Sequence, residues 1–374
     1  MLTPADDYPV HQTAEPIAFA GTDRNFYDRF FYNAMNDDGS FFMAVAFGVY
    51  PQLDIMDASV SVIHNGQQYN LHASKHMKGD RLDMTVGPIS ISIDKPIEQT
   101  TISITDNDSP ISGSMTLTTR HFPIEEPRFT RRVGTRAFMD YTRMTGNGDW
   151  TGSMTVAGET ITLDPATTKG TRDRSWGIRP IGASDPQPPA GGLLSQFYWL
   201  WTPANFDKHA VYFHTNDDEH GRPWNRRAVI CPTDGAAPIE FEDIDFDIDY
   251  RAGTRRIDAI TVTMRDGNIR AKLSFKINSH FYMAGLGYTH PTWGHGHDHG
   301  PLKVEHETYD LATMDDTNPL WMHIQAISDA TLEFEGQTHQ GKGVVEQMFV
   351  GPHAPSGMKD LFDPATAQGA SSCR

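Results

Sequence analysis

The chain has 374 residues, 38 % hydrophobic and 10 % aromatic, enough for one large core or for two domains of ordinary size. Its 31 basic residues face 48 acidic ones, a net charge of −17. That argues against nucleic acid or an anionic membrane as a partner, since either needs a basic footprint. Two cysteines, Cys231 and Cys373, cannot form a disulfide framework and fit a reducing compartment, so the expected location is the cytoplasm.

Met1 to Asp7 lacks the basic start and apolar stretch of a signal peptide. The longest apolar run, Phe41 to Tyr50, is shorter than the roughly 20 residues that span a bilayer. From there the pattern is strand after strand. The turn Asn36-Asp37-Asp38-Gly39 joins aromatic-rich strands Phe26–Asn33 and Ser40–Tyr50, a pair that could also face a second copy in a homodimer. Asn65-Gly66 turns a hairpin between Ser59–His64 and Gln67–His72, because such turns need positive φ. Val60, Val62 and then Ile89, Ile91, Ile93 alternate with polar residues, the period of a half-buried strand.

Glu125 to Met144 carries Arg128, Arg131, Arg132, Arg136 and Arg143, with Asp140 and Tyr141 among them. Solvated ion pairs explain such a cluster by default, while one or two guanidiniums could grip a carboxylate or phenolate at the edge of a site. The segment Gly170 to Pro180 is denser still: Asp173 lies among Arg172, Arg174 and Arg179, beside Trp176 and Gly177. Arg and Trp are frequent ligand anchors, which makes this segment the leading site candidate. The loop Gly182–Gly192, with Pro186, Pro188 and Pro189, is the expected boundary between an N-terminal module, 1–181, and a C-terminal one, 182–374.

Beyond it, a strand Ser195–Trp201 would place Phe197, Trp199 and Trp201 on one face and Gln196, Tyr198 and Leu200 on the other. These aromatics read either as core or as the wall of a pocket for a flat hydrophobic ligand. A further hairpin turns at Arg265-Asp266-Gly267-Asn268, between Ile257–Met264 and Ile269–Lys276. The run Trp293 to Gly300 interleaves His295, His297 and His299 with glycines, between His290 and Glu305, His306, Glu307. Zn²⁺ ligation, a solvent-exposed mobile loop, and one acid–base histidine, His295, are the three readings; the spacing matches no metal motif, so no metal is assigned. Glu346, inside the apolar strand Gly341–Phe349, is either ion-paired or an acid–base group. A short helix is expected near Met358–Phe362, and a frayed tail after Pro364. No dinucleotide fingerprint, phosphate loop, Gly-x-Ser-x-Gly elbow or nucleophilic cysteine setting is present.

Helical periodicity is otherwise scarce, and an all-β chain with regular turns implies sandwiches or barrels. The segments Arg-Asp-Arg-Ser-Trp-Gly at 172–177 and Asp-Arg-Asn-Phe-Tyr-Asp at 23–28 carry a resemblance to an uncharacterised bacterial family, frequent in sphingomonads and actinobacteria. More distantly, Asp173, Trp176 and Gly177 resemble the Asp-x-x-Trp-Gly element of the lipocalin-like carotenoid 1,2-hydratase (hydroxyneurosporene-synthase-like) and Diels–Alderase superfamily. Arg174 and Ser175 fill positions where the hydratases carry a histidine and an acidic residue.

The resemblance implies two lipocalin-like antiparallel β-modules and cofactor-free chemistry on a hydrophobic small molecule. The expected activity is a lyase or hydratase that eliminates water or a small carbonyl such as formaldehyde, or isomerises, on an aromatic or terpenoid compound. A non-catalytic carrier or sensor is the alternative. Asp173 would move the proton, unless His295 or Glu346 does. Arg174 and Arg179 would hold Asp173 ionised or stabilise an oxyanion, and Trp176, Tyr141, Tyr198 and Trp201 would contact the substrate.

Overall fold

Antiparallel strands make up nearly all the regular structure of the computed structural model, which describes residues 2–11, 16–17, 19, 21–187, 196–366 and 370–371. The first thirteen are β1 (Phe26–Asn36), β2 (Phe42–Tyr50), β3 (Ile55–His64), β4 (Gln67–His76), β5 (Thr85–Val86), β6 (Ile89–Lys95), β7 (Gln99–Ile104), β8 (Ile111–Thr119), β9 (Ile124–Glu125), β10 (Phe129–Val133), β11 (Arg136–Val156), β12 (Glu159–Leu163) and β13 (Thr168–Ile178). Then follow β14 (Phe197–Trp201), β15 (Ala204–Asn205), β16 (His209–Asp217), β17 (Pro223–Pro232), β18 (Ile239–Phe241), β19 (Asp243–Tyr250), β20 (Ile257–Asp266) and β21 (Ile269–Tyr282). The chain ends with β22 (Leu302–Asp310), β23 (Ile324–Phe334), β24 (Gln337–Val350) and β25 (Ala370–Ser371). Helix is confined, among the described residues, to short 3₁₀ turns. None is long and apolar enough to cross a membrane.

The chain divides into two compact units, Met1–Leu193 with Ala284–Thr313, and Leu194–Met283 with Met314–Arg374. The division expected from the sequence, 1–181 and 182–374, does not include the excursion 284–313, which leaves one unit to add β22 to the sheet of the other. Residues 188–192 of the Pro/Gly loop, and Cys373, lie outside the described residues.

In the first unit the strand order is β22-β4-β3-β2-β1-β13-β11-β8-β7-β6-β5, with β9, β10 and β12 added along β11. The sheet rolls up until β5 returns against β3 and β4. Phe30, Tyr32, Val45, Phe47, Leu71, Ile102, Met115 and Trp150 fill its interior with other apolar side chains. In the second unit the order is β18-β17-β16-β14-β24-β23-β21-β20-β19-β25, with β18 returning against β20. The turn spacing predicted the all-β chain, and its length two antiparallel modules; the structure has both.

Local turn chemistry accounts for the register. At Asn65-Gly66 both residues have positive φ, 50° and 76°, the geometry of the two-residue hairpin turn that favours Asn-Gly. Helix is absent at 358–362. Gly357 (φ 69°) ends the 3₁₀ turn Ala354–Ser356, and the Asp363 carboxylate accepts from the Lys359 and Asp360 amides, a side-chain-to-backbone turn that closes this segment locally.

Candidate active site

β13 is flanked by β1 and β11, and the register stacks chemistry in rows across the three strands. Tyr27, Gly177 and Tyr141 form one row, Arg29, Ser175 and Arg143 the next, and Phe31, Asp173 and Thr145 the third. The two motifs carrying the family resemblance, 23–28 and 172–177, are thus hydrogen-bonded neighbours. Gly177 makes the first row feasible: its φ is 138°, and a Cβ there would lie 2.6 Å from Tyr141 Cα and 2.7 Å from Tyr141 Cβ. The vacated space lets Tyr27 and Tyr141 meet edge to face at 6.0 Å, and Tyr141 stacks on Phe129 at 4.7 Å.

Strand alternation sends neighbours on β13 to opposite faces. Asp173 and Ser175 share the outer face with the tyrosines, while Arg172, Arg174 and Trp176 point inward. Arg174 therefore does not reach Asp173. It is fully buried, ion-paired with Asp28, and its guanidinium lies 3.7 Å over the Phe30 ring. The partner of Asp173 is Arg143, at 2.8 Å, which also lies 3.8 Å from Glu126. Of the second arginine cluster, Arg128 pairs with Asp140 at 2.7 Å and Arg136 with Asp185. Trp176 is half-buried under His11, whose ring stacks on it at 3.6 Å and 12°.

Arg179 lies just beyond β13, its amide donating to Asn25 O at 3.3 Å. Its guanidinium sits 4.4 Å over Tyr27 and 5.7 Å from the Tyr288 ring. Among the described residues no carboxylate pairs with it. Burial opposes its charge, and the oxygens of Tyr27, Tyr288, Tyr50 and Tyr141 more than offset this. Burial pushes the Tyr27 hydroxyl up to about 12, against the pull of Arg179 and Arg143. That hydroxyl lies beside Ser175 yet makes no hydrogen bond of normal geometry. An unsatisfied buried hydroxyl costs about 1–3 kcal/mol, so it marks a place where packing alone does not explain the residue.

The excursion 284–313 covers this face. Leu286 O accepts from Arg29 Nη2 at 3.2 Å and from His295 Nε2 at 2.9 Å. A carbonyl only accepts, so His295 carries its proton on Nε2, and its Nδ1 accepts from Arg179 Nη2 at 3.1 Å. Both nitrogens are thereby committed: His295 holds Arg179 in place and has no nitrogen left for a ligand's proton. Arg29 also donates to Tyr50, and Tyr50 to Asp57, at 3.2 and 3.0 Å; Asp57 Oδ2 accepts from the Gly296 amide at 2.8 Å. Burial raises Asp57 above its ordinary value, opposed by Arg29.

Gly294 and Gly296 of the histidine run serve close packing, and the loop is pinned. Trp293 is sandwiched between His72 (5.3 Å) and His299 (4.0 Å) and donates to Glu305 at 2.9 Å. His72, His290 and Glu307 bring three potential metal-ligand atoms within 4.8 Å of one another. The donor arrangement does not fit an ion. His290 Nδ1 accepts from the Trp293 amide at 2.8 Å, so Nε2 bears the proton and donates to Glu307 at 3.2 Å. His72 Nε2 and the Tyr309 hydroxyl donate to the same oxygen at 3.2 and 2.5 Å. These donors hold Glu307 well below the usual carboxylate range despite its burial. The cavity between this clasp and His295, lined by Asp57, Leu286 and Trp293, is about 10 Å³, room for one water.

The other expected site residues lie in the second unit. Glu346 is buried and accepts from Trp199 Nε1 at 2.9 Å, His323 Nε2 at 2.8 Å and Gln325 at 2.7 Å. Trp201 pairs with Glu346 across β14 and β24, on that face. Tyr198 is on the opposite face, stacked between Phe349 (4.2 Å) and His353 (4.0 Å), its hydroxyl 3.1 Å from that of Tyr250. Burial raises the Tyr198 hydroxyl well above its ordinary value. An open depression of about 890 Å³ near β17, β19 and β20 contains Arg226 and Arg265, both ion-paired with aspartates.

Sequence reasoning missed Tyr27, Arg29 and Tyr288. Tyr27 had a signal, its place in the 23–28 motif; Arg29 and Tyr288 had none, because what brings them together is the return of the excursion.

No curated protein matches the sequence. Among solved structures, CghA with Sch210972 is similar at 12 % identity and a TM-score of 0.49, over 87 % of this chain and 89 % of that one. Kievitone hydratase from Nectria haematococca is similar at 12 % identity and 0.46, over 86 % and 88 %. These are likenesses of chain path alone. Over residues 2–359 the sequence matches the model of a family described as a family of unknown function (DUF8625), and the chain belongs to that family.

Proposed function

We propose that the outer face of β1, β13 and β11 is the active site of a cofactor-independent lyase or hydratase acting on a small hydrophobic, aromatic or terpenoid molecule. The observation that carries this reading is a division of charge: Asp173 is an ion-paired carboxylate, while Arg179 is a cation that no described carboxylate neutralises, backed by Tyr27 and Tyr288. The first suits a base. The second suits an oxyanion that develops during reaction.

In this scheme the Asp173 carboxylate takes a proton from the ligand, and the electron pair left behind moves onto a ligand oxygen facing Arg179. Expulsion of water or a small carbonyl follows, and Asp173 returns the proton to the departing or remaining fragment, so that no oxidant or reductant is consumed. Arg143 orients Asp173, His295 orients Arg179, and Tyr141 with Tyr27 walls the site.

The test uses purified protein and a panel of aromatic and terpenoid alcohols, ethers and acids, with binding and product mass measured in parallel. Asp173→Asn is expected to keep affinity within about threefold and to lose turnover by about 10²–10⁴, the range for a lost acid–base group. A folded variant with unchanged turnover removes Asp173 from the chemistry. A ligand that binds tightly and is never altered supports the carrier reading.

A further inference from the structure

The acid–base scheme uses His295 of the histidine run and leaves His297 and His299 without a role. Both line, with Asp57 and Ser74, the cavity of about 10 Å³ beside Trp293. His297 Nδ1 meets the Thr292 carbonyl at 3.0 Å. A carbonyl only accepts, so the proton is on Nδ1 and Nε2 carries a bare lone pair. That end of the ring packs on Gly294, where a Cβ would lie 2.8 Å from His297 Nε2. The same carbonyl faces the His299 ring, and His299 Nε2 is buried with no hydrogen-bond partner among the described residues. The Ser74 hydroxyl, on a residue 2 % exposed, is likewise buried without one.

A histidine that gives one N–H to a backbone carbonyl has the tautomer and ring direction of a metal ligand at its other nitrogen. The clasp histidines are the reverse case, since His72 and His290 direct their Nε2 protons at Glu307. The loop needs no ordering to receive an ion. Asp57 holds the Gly296 amide at 2.8 Å, and Asp298 is turned to His76 at 2.9 Å, so neither carboxylate is a ligand here. His297 is only partly buried, which gives an ion a way in from solvent. A cavity the size of one water also suits one ion held by side chains at its wall.

We propose that His297 and His299 form a binding site for one divalent transition-metal ion of the class imidazole favours, Zn²⁺ or Cu²⁺. The two Nε2 lone pairs bind the ion, and the Ser74 hydroxyl or solvent water fills the remaining positions. The site stands independently of the proton transfer at Asp173.

Zn²⁺ and Cu²⁺ are the probes, on the full chain made without a histidine tag and stripped with a chelator. Calorimetry should show one Zn²⁺ per chain, and Zn²⁺ should raise the melting temperature. His297→Gln and His299→Gln should each weaken binding by more than about tenfold, the least that disturbing a ligand's own partner costs. His220→Gln, in the second unit, should leave it unchanged. Cu²⁺ on the wild type should give an electron-spin spectrum with two nitrogen ligands. It should also quench Trp293, whose ring stacks on His299 at 4.0 Å, and Trp293→Phe should remove that quenching. The Cu²⁺ measurements on the wild type decide the matter if a histidine variant fails to fold. A wild type that takes up no Zn²⁺, leaving the cavity to water, overturns the proposal. So does Zn²⁺ uptake that survives both histidine substitutions together, or bound Cu²⁺ that leaves the Trp293 emission intact.

Discussion

Replacing Asp28 with asparagine tests how the interior of the first unit is held. Asp28 is fully buried between Arg174 and Arg81, with His11 at 3.0 Å. Burial opposes its charge, yet Arg174 and His11 outweigh it and bring the carboxyl from 3.8 down to about 2. At about 1.4 kcal/mol per pH unit, that difference contributes about 2 kcal/mol of stability at neutral pH. Because the folded-state value is depressed, the contribution is complete above the unfolded value near ~4 and disappears as pH falls through about 2. Asp28→Asn also leaves two buried guanidiniums without that carboxylate, for a total cost of about 3–5 kcal/mol. For a unit of this size the melting temperature should fall by roughly 10 °C. Urea unfolding at pH 7, 4 and 2 is the assay, and the variant should lose the acid-dependent part of the slope between pH 4 and 2. A variant within about 1 kcal/mol of wild type at pH 7, with the same acid limb, would refute the claim that this carboxylate holds the arginines.

Gly177→Ala puts a Cβ 2.6 Å from Tyr141 Cα at a φ of 138°, so β11 must shift; calorimetry should register a loss of about 2–4 kcal/mol, against less than 1 if the strand yields freely. Glu307→Gln replaces an acceptor of three donors by a group that can accept only in part, and should free the 288–300 loop; amide exchange there should rise at least tenfold while the β6–β8 amides stay unchanged. Equal protection in both forms would show that the clasp does not hold the loop. Glu346→Gln turns one acceptor oxygen toward Trp199, His323 or Gln325 into a donor and should cost about 1–3 kcal/mol in the second unit, with a change in indole fluorescence; an unperturbed spectrum and stability would contradict the network.

What the sequence made legible was local. Asn65-Gly66 specified its hairpin because the φ requirement belongs to those two residues, and the period-two pattern separates Asp173 from Arg174 by alternation alone. Pairing the two as neighbours in sequence, as a cluster suggests, overlooks that alternation. The illegible part was long-range. Asp28 meets Arg174 across 146 positions, and Arg179 meets His295 across 116. Neither spacing leaves a periodic trace. The glycines around His295 look like a mobile loop in one dimension, whereas in three dimensions Gly296 lets the backbone approach Tyr50 and Leu53 and Gly294 leaves room for the His297 ring.

The central claim is that proton transfer to Asp173 occurs on the outer face of the first unit. Incubation of the protein in D₂O with the compound panel, followed by mass spectrometry, tests it most directly. At least one compound should be converted, or take up solvent deuterium, with wild-type protein and not with Asp173→Asn. A compound that binds both proteins equally and is processed by both at the same rate would contradict it.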